Sequence, residues 1–449
     1  MSQFKNLKTF PVGGIHPKDQ KLSANKEIKS LKIPDIVSIP VSQHLGAPAK
    51  PIVKINDSVK VGQIIAESGG YVSTNIHSSV SGVVSKIDNV MDASGYKRLA
   101  VTIKVQGDDW LEGIDLSLDL KKEIALSKED IISKLQKDGI VGLGGATFPI
   151  HVKLTPPKGK TADILLINGV ECEPFLTSDH RLMIEKGEET LIGIKIIMQA
   201  LGVSKALIGI EANKADAIDH FSNLSKSYDG ISVVPLKVQY PQGAEKQLVE
   251  ALINRQVPIG GLPIDVGVVV QNVGTAFAVY ESIQKNKPLV ERVVTVTGKN
   301  VKNPSNFLVR FGIPVSDLIE AAGGLPDETG KIISGGPMMG KALNTTNVPV
   351  TKGTSGILLM PTEESKRGEV LNCIRCAKCV GRCPLGLEPY LLMNLVEKGF
   401  YDQAQQEQIL NCCECGTCEF TCPADRPLLD YIRLGKSIIN QRLREKSQK

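Results

Sequence analysis

Much that would place a chain of 449 residues at a glance is missing from this one. Its opening stretch, MSQFKNLKTFPVGGIHPKDQ, has no apolar core of the kind a secretory signal carries, so a reducing cytosol is the expected compartment. It has no uncharged apolar run of about 18 residues. The longest candidate, VPIGGLPIDVGVVVQNVGTAFAVY, is broken by Asp265, Gln271 and Asn272 and reads as buried sheet and helix. Net charge is a mild +5, aromatics are only 4%, and no Lys/Arg block is interleaved with them, which argues against nucleic acid. The terminal charges Arg442, Arg444, Lys446 and Lys449 read as a solvated helix end rather than a lipid contact. The G-x-G-x-x-G opening of a Rossmann domain is absent. Cysteine is nearly absent from the first 372 residues, where Cys172 stands alone among the chain's 10. A secreted disulfide scaffold would be short and would spread its cysteines, so that class is excluded. Composition is otherwise that of an ordinary globular protein of two to four domains, with 42% hydrophobic and 22% charged residues.

What is present is concentrated. Nine cysteines lie between Cys373 and Cys422, in two knots. CIRCAKCVGRCP spaces Cys373, Cys376, Cys379 and Cys383 as C-x2-C-x2-C-x3-C-P, and Cys412, Cys415, Cys418 and Cys422 repeat the pattern. This is the bacterial ferredoxin run for [4Fe–4S] clusters, in which three thiolates grip one cube and the fourth ligates the other. The reading is one cluster on Cys373, Cys376, Cys379 and Cys422, and a second on Cys412, Cys415, Cys418 and Cys383, with Cys413 left over. Two zinc knuckles are the alternative, but zinc sites pair C-x2-C units rather than triple them and give the trailing Cys-Pro no role. Between and after the knots, Leu391, Leu392, Leu395 and Val396, then Leu428, Ile432, Leu434 and Ile438, recur at helical spacing. Residues 362–449 are expected to form a helical ferredoxin domain.

Upstream of it the pattern changes twice. After an N-terminal extension, 1–35, residues 36–105 alternate apolar and polar in short runs with turn sites. The segments VKVGQ and SSVSGVV resemble a biotinyl/lipoyl carrier domain. The apex where a carrier keeps its lysine holds Gly69-Gly70, so a structural barrel-sandwich is expected, with His77 packed or exposed rather than a ligand. Residues 126–300 alternate buried-strand runs (ADILLING, KALIGIE, VGVVVQNVG) with amphipathic helices, which argues a mostly parallel sheet. Four segments there can carry chemistry. VGLGGATFP offers Gly142, Gly144 and Gly145, where backbone amides can approach a phosphate, although ligand-free turns look the same. INGVECEPFLTSDHR delivers Asn168, Glu171 and Glu173 from a strand end, where α/β sheets place ligand contacts, or else is a solvated acidic turn. YPQGAEKQL carries Tyr240, Gly243 and Glu245, and QNVGTAFAVYESI starts a helix at Asn272 and Thr275. Residues 301–355 read as a small β-grasp unit whose helix begins at Pro314 with Ser316 as its cap.

These four segments, in this order and followed by iron–sulfur cysteines, resemble the flavin- and NADH-binding subunit of respiratory complex I. With the barrel in front and twin ferredoxin runs behind, the chain resembles more closely the RnfC family of ion-translocating Rnf complexes, over nearly its whole length. The β-grasp unit is similar to that family's SLBB module. The resemblance implies a non-covalent FMN held by Gly142, Gly144, Lys153, Asn168, Asn272 and Thr275 and walled by Tyr240 and Gly243. It implies that Phe148 stacks on NAD(H), with Glu171, Glu173 and Glu245 at its ribose or nicotinamide. Three positions depart from the complex I pattern: Leu143 for an arginine, Ala244 for a glutamate, and Gly274 for the glutamate of N-V-E-T. Cys172, between two carboxylates, reads as a packed residue.

The implied activity is that of an oxidoreductase acting on NAD(H) and ferredoxin as part of an ion-translocating complex. Nicotinamide passes two electrons as hydride, clusters take one at a time, and flavin belongs between them. Partners would be integral-membrane subunits and a ferredoxin-like subunit, with the chain peripheral on the cytoplasmic face of the cell membrane. Three other readings share modules: a cobalamin reductase of diol-degrading microcompartments, whose barrel follows the clusters; a diaphorase subunit with a single cluster run; and a non-catalytic cluster wire. The soluble subunit of the Na+-pumping quinone reductase shares barrel and nucleotide domain, but the cysteines weigh against it.

Overall fold

The structure is a computed structural model that describes residues 4 and 6–447; Lys449, counted above among the terminal charges, lies outside them. Continuous apolar runs make the central sheet because both of its faces are covered by helices. Its strands Ile164–Asn168, Ala206–Glu211 and Val268–Asn272 are buried almost end to end, while Ile231–Leu236, at the edge, is mixed. All four run parallel, in the spatial order Ile231–Leu236, Ala206–Glu211, Ile164–Asn168, Val268–Asn272. The chain therefore builds outward from Ile164–Asn168 to one side and then returns to its other side. Asn168 and Asn272 end up as direct neighbours at the point where the order reverses.

The helices start and stop where local chemistry directs. Ser127 caps Lys128–Lys137 by accepting from the Asp130 amide. Gly187–Leu201 ends at Gly202, whose φ of 74° is cheap only for glycine. The Asn272 carboxamide oxygen caps Val273–Lys285, accepting from Gly274 N at 2.9 Å and Thr275 N at 3.4 Å.

The barrel-sandwich packs a four-stranded sheet (Ile36–Pro40, Lys97–Val105, Gly82–Met91, Ser58–Val59) on a three-stranded one (Lys50–Pro51, Ile64–Glu67, Ile76–His77). At Gly69 a Cβ would stand 2.3 Å from the Pro48 carbonyl oxygen, so no lysine fits there. His77 is buried, with its Nδ1 lacking a partner among the described residues; burial and the nearby Lys352 depress its pKa to about 3.

A mixed six-stranded sheet forms the β-grasp layer: Ile28–Ser30, Ser305–Arg310, Glu291–Thr297, Gly356–Pro361, Thr329–Ser334, Lys341–Ala342. It corrects two expectations. Glu291–Thr297 pairs antiparallel with Ser305–Arg310, so a boundary at 300 cuts through this sheet, and Ile28–Ser30 brings the N-terminal extension onto its edge. The helix Val315–Ala321 has Pro314 as N-cap; Ser316 lies inside the first turn, its hydroxyl turned to Asp317. The C-terminal domain packs Pro389–Glu397 and Tyr401–Gln406 against the long helix Leu428–Ser447. Among the described residues no helix is long and apolar enough to cross a membrane.

Candidate functional site

The two cysteine runs repeat one backbone conformation. Arg375 and Ala377 in the first, and Glu414 and Gly416 in the second, all take positive φ, and each run then closes in one helical turn, Lys378–Gly381 and Thr417–Phe420. The turns touch each other. Cys383, Cys412, Cys413, Cys415 and Cys418 line one apolar cavity with Leu387 and Ile432. Burial first, then the charges of Cys412, Cys415 and Cys383, push the Cys418 thiol well above its usual range. Burial also pushes Cys412 up to about 11, with Cys415 and Cys383 adding to it against Lys436. Cys379, in turn, feels Cys422. Among the described residues no three His, Cys, Asp or Glu converge tightly enough for a single metal ion.

The left-over Cys413 is not idle. It lies beside Cys415 and favours the Cys415 thiolate, whose pKa falls to about 6. It packs with Ile15, Tyr240 and Met338, where the cysteine domain meets the rest of the chain. Here the Tyr240 hydroxyl donates to the Cys415 carbonyl at 2.8 Å, Gln247 Nε2 to the Pro384 carbonyl at 3.2 Å, and Gly14 N to the Arg382 carbonyl at 3.0 Å. Gly13 lies so close that a Cβ would sit 2.6 Å from the Cys383 carbonyl carbon.

Tyr240 leads into a crevice at the switch point of the parallel sheet, where open α/β sheets bind ligands. The turn carrying Gly142 and Gly144 folds over it, necked by Gly142 N donating to the Phe148 carbonyl at 2.9 Å. Leu143 N donates to Thr275 Oγ1 at 2.9 Å. Gly144 is held against Asn272, where a Cβ would come within 2.7 Å of Nδ2, whereas Gly145 faces open space. Asn168 Nδ2 donates to the Gly243 carbonyl at 2.8 Å, and Lys153 Nζ reaches Glu245 Oε1 at 2.7 Å and the Val270 carbonyl at 3.1 Å. The structure thus gathers Gly142, Gly144, Phe148, Lys153, Asn168, Gly243, Glu245, Asn272 and Thr275 about one mouth. The open glycine backbone and single lysine suit the phosphate end of a flavin nucleotide.

Three of the expected site residues have protein partners. Glu171 accepts from Asp179 N at 2.8 Å, Ser178 Oγ at 3.1 Å and His180 N at 3.1 Å, capping the helix Ser178–Glu185. Glu173 accepts from Met338 N at 3.1 Å and Met339 N at 2.7 Å, tying the loop to the β-grasp sheet; burial raises its pKa to about 7. Tyr240, placed at the flavin wall by resemblance, spends its hydroxyl on Cys415.

The sequence reading missed Lys21. Its buried ammonium donates to the carbonyls of Glu171, Glu173 and Leu176 at 2.7–2.9 Å, holding a loop in which Glu171 and Phe175 have positive φ. Desolvation, then Lys214, lowers its pKa to about 8. No motif marks it; KLSANK reads as an ordinary polar stretch. Cys172 lies beside Gly243, whose amide points at its sulfur at 3.4 Å, and burial, then Glu211, pushes the thiol far up, so it stays protonated.

Known proteins resemble the chain throughout. Residues 8–108 match the RnfC barrel sandwich hybrid domain, 135–281 the Nuo51 FMN-binding domain, and 293–342 the SLBB domain. A subunit of the proton-translocating ferredoxin:NAD(+) oxidoreductase complex of Clostridium ljungdahlii is 47% identical, across 96% of this chain and 94% of its own. A subunit of the Na(+)-translocating ferredoxin:NAD(+) oxidoreductase complex of Acetobacterium woodii is 46% identical, across 96% and 97%. A subunit of the ion-translocating oxidoreductase complex of Rhodobacter capsulatus is 41% identical, across 99% and 86%.

Proposed function

The chain belongs to the RnfC family, whose members are subunits of ion-translocating ferredoxin:NAD(+) oxidoreductase complexes, and from that premise we propose that it exchanges electrons between NAD(H) and two iron–sulfur clusters by way of FMN. When bound, FMN accepts two electrons as hydride from a nicotinamide and passes them on singly to [4Fe–4S] clusters. The chain's own residues bind and orient. Gly142 and Gly144 bring backbone to the flavin phosphate, with Lys153 as its counter-charge once it leaves Glu245. Asn168, Asn272 and Thr275 shape the floor of the crevice, and Gly243 its wall. Phe148 and Glu245 border the space for the nicotinamide nucleotide. Glu171, Glu173 and Lys21 act through the loop that they hold in shape. Cys373, Cys376, Cys379 and Cys422 hold one cluster, and Cys412, Cys415, Cys418 and Cys383 the other.

One observation carries this reading: the Tyr240–Cys415 hydrogen bond, 2.8 Å long, joins the crevice directly to a cysteine of the thiol-lined cavity. Electron transfer needs that adjacency, and no acid or base is required beside it. The remaining partners would be integral-membrane subunits, which move the ion, and a ferredoxin-like subunit, with this chain at the cytoplasmic face. The test is an anaerobic NADH titration of the full chain, reconstituted with FMN and clusters, followed by flavin absorbance and EPR. The flavin should bleach. An oxidised flavin in the presence of NADH, with clusters that dithionite reduces, would reject the nucleotide site.

A further inference from the structure

We propose that the segment from Lys8 to Lys21 is a clamp, anchored on the crevice wall, that holds Cys383 in the cavity of the second run, with Gly13 and Gly14 as its positioning residues. The inference rests on the crossed cluster assignment above and adds what keeps the crossing in place. Cys383 enters that inner cavity from the first run, so the spacing of the cysteines around it does not fix it there. Its backbone is held from outside both runs. A Cβ on Gly13 would stand 2.6 Å from the Cys383 carbonyl carbon and 2.8 Å from Pro384 N, so the segment lies directly on the Cys383–Pro384 peptide. Gly14 N donates to the Arg382 carbonyl at 3.0 Å, and Gln247 Nε2 to the Pro384 carbonyl at 3.2 Å. With φ of 74° and 82°, the two glycines hold a backbone shape that a side chain would resist.

The next residue closes a ring. Ile15 N donates to the Tyr240 carbonyl at 2.9 Å, and Tyr240 N to the Ile15 carbonyl at 2.8 Å. The Tyr240 hydroxyl in turn donates to the Cys415 carbonyl at 2.8 Å. One bonded path therefore runs from Cys383 of the first run, through Gly13, Gly14, Ile15 and Tyr240, to Cys415 of the second. Both ends of the segment are fastened beside the crevice. Upstream, Thr9 Oγ1 donates to Gln242 Oε1 at 2.7 Å and Lys8 Nζ to the Leu252 carbonyl at 2.8 Å, while Gln239 Nε2 donates to the Gly13 carbonyl at 3.0 Å. Downstream, Phe175 N donates to the Asp19 carbonyl at 2.8 Å, and Lys21 holds the loop of Glu171 and Glu173. The segment thus meets the crevice wall, then a cluster ligand, then the crevice loop. Groups that support a metal ligand from behind set how firmly the metal is held, typically by about 10–100-fold.

The experiment challenges the full chain, loaded with FMN and both clusters, with an iron chelator under anaerobic conditions. Samples are reduced with dithionite and read by EPR, with Cys415→Ala and Cys376→Ala identifying the outer and inner signals. Gly13→Ala should shed the inner cluster about tenfold faster than the wild type, while the outer cluster keeps its rate and NADH still bleaches the flavin. Gly202→Ala is the control. Gly202 has the same φ of 74° but nothing within 4 Å of where its Cβ would stand, so it carries the backbone strain without the collision. It should leave both rates as they were. Gln239→Ala, which frees the Gly13 carbonyl without adding an atom, should speed inner-cluster loss about threefold. Equal inner-cluster loss in Gly13→Ala and Gly202→Ala overturns the proposal, and so does wild-type retention in both Gly13→Ala and Gln239→Ala. Where Gly13→Ala yields no folded chain, wild-type retention in Gln239→Ala overturns it alone. Faster loss of the outer cluster instead would return Cys383 to its own run, and the crossed assignment and the clamp would fall together. A wild-type flavin that ignores NADH, with the inner cluster still leaving Gly13→Ala faster, would reject the NAD(H) reading and leave the clamp standing.

Discussion

The two cysteine runs share one spacing and one backbone, yet they live in different surroundings. The first shows Cys373 and Cys376 to solvent. The second buries Cys415 and Cys418 and is pinned by Tyr240, with Lys436 donating to the Cys412 carbonyl at 2.6 Å. Thiolate spacing decides what a run can bind; the shell around it decides which way electrons can come and at what potential. One run faces the crevice and the other faces out, so the pair has a direction that the repeated motif alone does not have.

The most severe way to break that difference is to remove Cys383. It belongs to the outer run in sequence, but it lines the inner run's cavity with Cys412, Cys413, Cys415 and Cys418. Cys383→Ala should therefore remove the inner cluster. Iron should fall from about eight to about four atoms per chain, and the surviving EPR signal should match that of Cys415→Ala rather than Cys376→Ala. A signal matching Cys376→Ala would mean that each run holds its own cluster, and the crossed assignment would fail.

A smaller effect should come from Glu173. Its carboxylate holds the Met338–Met339 turn, and the Met338 carbonyl lies against Gly416 of the inner run. Burial raises its folded pKa to about 7 from the ordinary 4.5. Between those values the folded chain keeps a proton that the unfolded chain has lost. Stability therefore falls as pH rises through this window, and the full cost is present above about 7. The side chain is only half-buried by surface, which limits the cost to about 2 kcal/mol. Urea unfolding across this window should show that slope in the wild type and lose it in Glu173→Gln. An unchanged slope in the variant would mean that Glu173 ionises freely.

What the sequence made legible was local. Cysteine spacing, the Ser127 and Asn272 caps, and continuous apolar strands each follow from a few neighbouring residues. What it hid was decided across the fold. Glu171 and Glu173 looked like free acceptors: the amides Glu171 takes start the next helix, on Asp179 and His180, and those Glu173 takes lie far along the chain on Met338 and Met339. Lys21 and Gly13 lie more than a hundred residues from what they touch, in a stretch with no periodicity. The strand Glu291–Thr297 reads as buried in either sheet, and only its antiparallel pairing with Ser305–Arg310 shows which. The crevice fared better, since a switch point gathers strand ends that the sequence already marks with Asn168 and Asn272.

The finest test of the comparison is the one residue the second run has in excess. The first run has Ile374 where the second has Cys413, and Ile374 is exposed while Cys413 packs against Tyr240 and Ile15. The Cys413 thiol lies beside Cys415 and favours its thiolate, lowering its pKa to about 6. A donor to a ligand sulfur favours the more negative, reduced state of a cluster, so it raises the reduction potential. One weak hydrogen bond of about 0.5–1 kcal/mol corresponds to about 20–40 mV for one electron. Cys413→Ala should lower the inner cluster's midpoint by that much in an EPR-monitored redox titration and leave the outer cluster's midpoint where it was. Cys413→Ser, which keeps a donor, should recover most of the shift. Equal shifts in both clusters, or none in either, would mean that the inner run owes its potential to burial alone and that the fifth cysteine only fills space.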